Sequence, residues 1–106
     1  MQPTAHIISD FPIFIAAAQA VLGGRYCVWS RSWDEYTREP VQRSDLLVAD
    51  VTRSPAQRAL AHIACDLREA RIVLCSLHRN EVEVYRVGPN GFMVEGAFPS
   101  LLALTS

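Results

Sequence analysis

Asp50 closes an unbroken apolar run, Leu46-Leu-Val-Ala49, and is followed by Val51-Thr-Arg-Ser-Pro55. A strand buried on both faces reads as such a run, so Asp50 is predicted to end a central strand, at the sheet edge where α/β proteins bind ligands. Asp10 stands in the same relation to the short apolar segment Ala5 to Ser9, and Ser76 to the run Ile72 to Cys75. If these strands are parallel, the three polar side chains converge on one edge. Two carboxylates meeting there would suit Mg²⁺, a hard cation that takes oxygen ligands and keeps waters for a phosphate to displace. Asp50 also has a plainer reading, in which the carboxylate terminates the strand and hydrogen-bonds the turn after it.

The elements that must position these residues follow from the pattern around them. Pro12 suits a first helical turn, Phe14, Ala18, Val21 and Leu22 share a face, and Gly23-Gly24 supplies a stop. Tyr26 to Trp29 is predicted as a second strand. Ser32-Trp-Asp-Glu35 has capping-box spacing, and Pro40 ends that helix early. Ser54-Pro-Ala-Gln57 repeats the signal after the central strand, opening a helix with Ala56, Leu60, Ile63, Ala64 and Leu67 on its buried side. Residues 80–94 alternate around Gly88-Pro-Asn-Gly91 and, on pattern alone, form a hairpin. Pro99 to Leu104 is read as a short terminal helix.

Composition bounds the function. A chain of 106 residues, half of them apolar, has room for one domain with one core, taken as residues 1–106. All ten basic residues are Arg, and with eleven acids they leave a net charge of −1, so nothing favours direct binding to nucleic acid or to an anionic membrane. Cys27, Cys65 and Cys75 lack the Cys-x-x-Cys spacing of a zinc or redox site and are expected to be reduced thiols in a cytoplasmic protein. No apolar run reaches the length of a bilayer span.

Taken in order, four segments resemble the receiver domain of two-component response regulators, the CheY-like fold. They are His6-Ile-Ile-Ser-Asp-Phe-Pro12, Asp45-Leu-Leu-Val-Ala-Asp-Val51, Ile72-Val-Leu-Cys-Ser-Leu-His78 and Gly88-Pro-Asn-Gly-Phe-Met-Val-Glu-Gly-Ala97, the last in the style of receivers joined to a LuxR-type DNA-binding domain. The resemblance implies a doubly wound five-stranded parallel sheet of order 2-1-3-4-5, and it replaces the hairpin with a short fourth helix over Asn80 to Val87. It makes Asp50 the phosphoacceptor, Asp10, Asp50 and the Thr52 carbonyl ligands of Mg²⁺, Ser76 the hydroxyl that meets the acyl phosphate, and Phe92 the switch aromatic. A histidine kinase, an appended DNA-binding domain and a second copy docked through residues 80–106, with Val82, Val84 and Tyr85 exposed, are the implied partners.

Two departures weaken that chemistry. Ser9 stands where receivers have the second acid of the metal pair, and Glu95 where they have the phosphate-pairing Lys. The expectation is therefore a degenerate receiver, a signalling and interaction module with weak or absent phosphorylation and weak Mg²⁺ binding. The alternative is a conventional Mg²⁺-dependent receiver phosphorylated on Asp50, with Arg53 lending a cation. A more distant likeness, of Ser44 to Thr52 to nucleoside deoxyribosyltransferases, lacks the catalytic Glu early in the following helix, where the chain has only Glu69 at its far end. His62 and His78 are read as solvated.

Overall fold

The computed structural model describes residues 2–41, 43–52, 71–76, 82–88 and 91–98. In chain order these form β1 (Thr4–Ile8), α1 (Pro12–Leu22), β2 (Cys27–Arg31), α2 (Trp33–Arg38), β3 (Leu46–Asp50), β4 (Arg71–Cys75), β5 (Val82–Gly88) and β6 (Gly91–Phe98). The class is α/β, built on one six-stranded sheet of order β2-β1-β3-β4-β5-β6. The first four strands are mutually parallel, and β3 is buried along its whole length. The apolar run before Asp50 is thus the dry centre of the sheet, covered on both faces.

Alternation along the strands divides the core. Ala5, Ile7, Leu46, Val48 and Val73 pack with Phe14, Ala18 and Leu22 of α1. Ile8, Leu47, Ala49, Ile72 and Leu74 pack on the opposite face with Tyr36 of α2 and Val41. Both helices carry the predicted signals. Pro12 occupies the first turn of α1, and the Gly23 amide closes its end on the Gln19 carbonyl at 2.9 Å, an approach so tight that a Cβ on Gly23 would meet that same oxygen at 2.9 Å. The capping box of α2 forms in full, with Ser32 Oγ accepting from the Glu35 amide and Glu35 Oε1 accepting from the Ser32 amide.

The far side of the sheet departs from the five-stranded parallel expectation. β5 runs antiparallel to β4, and β6 antiparallel to β5, so the fourth helix implied by the receiver likeness is replaced by a strand over Val82–Gly88. The hairpin read from the residue pattern is the arrangement present. Connection length explains it, because only residues 76–81 join β4 to β5, whereas a parallel neighbour needs a crossover of about a dozen residues or more. Val82 and Val84 are buried against the α1 side of the core instead of facing a partner, and Tyr85 is half-buried on the other face. Two of the three apolar residues that suggested a docking face on β5, Val82 and Val84, are core residues.

The helix opening at Ser54, with His62, Cys65 and Glu69, lies outside the described residues, as do Arg53, His78 and the segment Pro99 to Leu104. Among the described residues, no helix is long and apolar enough to cross a membrane.

Candidate functional site

Asp50 ends β3 with 3% of its surface exposed, and its carboxylate is held by neutral donors. Ser9 Oγ donates to Oδ2 at 2.7 Å, and Oδ1 accepts from the Thr52 amide at 2.9 Å and from Thr52 Oγ1 at 2.5 Å. The pair of bonds from Thr52 is an Asx-type turn, in which the carboxylate folds the chain leaving the strand back on itself. Ser9 completes the shell from β1. Its hydroxyl also accepts the Phe11 amide at 3.0 Å, tying the start of α1 to the same point. Among the described residues no Arg or His side chain reaches the Asp50 carboxylate. Hydrogen bonds to a charged group are worth about 1.5–3 kcal/mol each, and here they take the place of a counter-ion.

Trp33 links the second strand end to the first. Its backbone amide donates to Asp10 Oδ1 at 3.0 Å, while its indole Nε1 donates to the Asp50 carbonyl at 2.9 Å. Asp10 therefore caps the first residue of α2, a favourable place for a negative charge. The indole meets Tyr36 edge-on, with centroids 5.9 Å apart and planes at 82°, and packs against the core on the α2 face. Sequence reasoning passed over Trp33 as a site residue. The available signal was the indole itself, whose N–H needs an acceptor wherever the ring is packed against the core.

Cys75 is the register partner of Asp50 on β4, and its carbonyl accepts the Val51 amide at 2.8 Å. Burial, followed by the negative charge of Asp50, pushes its thiol up to about 12, so it remains a protonated thiol at neutral pH and not a nucleophile. Ser76 follows it and so lies at the same edge of the sheet as Asp50. Phe92 does not. It pairs with Val87 beyond the Arg71 and Arg86 pairing, which puts it at the amino-terminal end of the parallel strands, opposite the Asp50 end. Glu95 falls at an irregularity in the β5–β6 ladder, between the pairs Tyr85 with Val94 and Val84 with Gly96. Three strand spacings separate β6 from β3, about 14 Å.

Among the described residues, the oxygens at this edge are already engaged by donors of the chain itself. Both oxygens of Asp50 accept hydrogen bonds, Asp10 is engaged by the start of α2, and the third position is the neutral hydroxyl of Ser9. What the arrangement does chemically is fasten four elements, β1, α1, α2 and β3, at a single corner.

No protein-family model matches this chain, and neither a curated protein nor a solved structure does.

Proposed function

We propose that the chain is a receiver-like interaction module of a signalling or transcription-regulating protein, in which Asp50 is a structural carboxylate and not a phosphoryl acceptor. The observation that carries this reading is the closed shell of Ser9 and Thr52 around a buried Asp50. Accepting a phosphoryl group needs an oxygen free to attack in line, with metal or cationic groups to neutralise the equatorial oxygens. Here both oxygens of a buried carboxylate already serve the fold as acceptors, so attack would compete with the bonds from Ser9 and Thr52. The signalling context rests on the likeness of the first and central segments to receivers, which supports a sensor kinase or a DNA-binding domain as the kind of protein it meets or is joined to.

The test is to incubate the folded chain with acetyl phosphate and Mg²⁺ and to follow intact mass, with a parallel amide NMR titration using beryllofluoride. The expected result is no adduct and no shifts that saturate around Asp50, Thr52 and Ser76. An adduct that disappears in Asp50→Asn would overturn the proposal and establish the conventional receiver.

A further inference from the structure

β2 is an outer strand of the sheet, and its hydrogen-bonding parity can be read from its two ends. The Cys27 amide donates to the Pro3 carbonyl at 2.8 Å, and the Arg31 carbonyl accepts the Ser9 amide at 3.0 Å. Residues 27, 29 and 31 therefore spend their backbone groups on β1, and the N–H and C=O of Val28 and Ser30 point away from the sheet. Among the described residues nothing meets these four groups. Outer strands are ordinarily protected from pairing by Pro, Lys, a bulge or a covering element. β2 has the sequence Cys-Val-Trp-Ser-Arg and pairs with β1 in five consecutive positions without a bulge. It also carries Trp29, which is 60% exposed, and an exposed Cys27.

We propose that two copies of this chain associate through β2, antiparallel and edge to edge, about a two-fold axis at Trp29. The geometry selects this register. With the axis at Trp29, Val28 of each copy faces Ser30 of the other, and each such pair exchanges both N–H···O bonds, so all four outward groups of each strand are used. Moving the axis to Val28 would set Ser30 against Tyr26, whose amide is already given to the Leu22 carbonyl. Moving it to Ser30 would set Val28 against Ser32, whose amide is held by Glu35. The Trp29 register also brings the two exposed indoles together as the close, non-hydrogen-bonded pair at the centre, where cross-strand aromatic pairs contribute most. That self-complementarity makes a second copy the occupant, rather than an unrelated peptide strand. A net charge of −1 sets little repulsion against it. The association does not depend on whether Asp50 accepts a phosphoryl group.

The register pairs Cys27 of one copy with residue 31 of the other. Within one chain these residues are four positions apart along a strand, about 13 Å, too far for a disulfide. Arg31→Cys under mild oxidation is therefore expected to give a covalent dimer, and the double variant Cys27→Ser with Arg31→Cys to give none. Sedimentation equilibrium of the wild-type chain up to millimolar concentration is expected to show a dimer, with tryptophan emission shifting to the blue as Trp29 is covered. Ser30→Pro removes an outward amide at an edge position that tolerates Pro, and should leave a folded monomer by circular dichroism. If that variant fails to fold, the Arg31→Cys cross-link decides. A wild-type monomer at every concentration, a dimer that survives Ser30→Pro in a folded chain, or no Cys27-dependent cross-link would each overturn the proposal.

Discussion

Asp50 and Cys75 lie side by side in register on adjacent strands, and each limits what the other can do. The carboxylate helps to keep the thiol protonated, and the thiol and the apolar strand leave the carboxylate to neutral donors from Ser9 and Thr52. Asp50→Ala removes the acceptor shared by the Ser9 hydroxyl and the Thr52 amide, and should lower unfolding stability by about 3 kcal/mol. Asp50→Asn keeps one carbonyl acceptor and the shape of the side chain, and should cost about half as much. Urea titrations with unchanged slopes would measure both. Stabilisation by Asp50→Asn would show instead that the charge is a burden in the folded state, as expected of an acid kept for reactivity and not for structure.

At the scale of elements, the local rules were most legible where they act over few residues. The capping box at Ser32 and Glu35, the Pro12 start of α1 and the fully buried β3 can all be read from spacing, because each depends on neighbours within a turn or on a run of apolar residues. Ser32→Ala should accordingly cost about 1 kcal/mol, read from the midpoint of thermal or urea unfolding, and an unchanged midpoint would mean that tertiary packing alone holds α2. The hairpin was legible too, in the alternation of Val82 and Val84 with Glu83 and Tyr85. The receiver likeness obscured it, since it implies a helix where a six-residue connection cannot make a parallel crossover. The candidate site was legible in part. Asp10, Asp50 and Ser76 do lie at the carboxyl ends of parallel strands, but position on an edge says nothing of hydrogen-bond partners. The roles of Ser9 and Trp33 depend on contacts between residues far apart in sequence, such as Ser9 with Asp50, and no local pattern encodes them, whereas the bonds from Thr52 are the local turn that the plainer reading of Asp50 describes. The position of Phe92 has a similar origin, since the direction of β5 decides at which end of the sheet it falls.

At the scale of the whole molecule, His6 on β1 makes stability respond to acid. His6 lies on β1 between Trp29 and Leu47 of the flanking strands, half-buried, with its Nδ1 at 2.8 Å from Ser44 Oγ. The Ser44 proton is directed to the Leu46 carbonyl at 2.7 Å, so the imidazole Nδ1 is the donor to Ser44 and the ring is held in that neutral tautomer. Burial, and then the Arg31 guanidinium, lower the His6 pKa below its ordinary 6.5. The folded state thus binds this proton more weakly than the unfolded chain does. Stability from this group is complete above pH about 6.5, declines as the pH falls from there to the lowered folded value, and is constant below it. Glu35 acts in a separate, more acid window. The Ser32 backbone hydrogen bond lowers its pKa, so its contribution is present above the ordinary carboxylate value and is lost as the pH falls through the lowered one. His6→Gln can still donate to Ser44 but does not titrate. Urea midpoints measured from neutral pH downward should fall in wild type through the histidine window and stay level there in His6→Gln, while both chains lose stability together in the carboxylate range. Equal slopes for the two chains in the upper window would assign that acid sensitivity to a group other than His6.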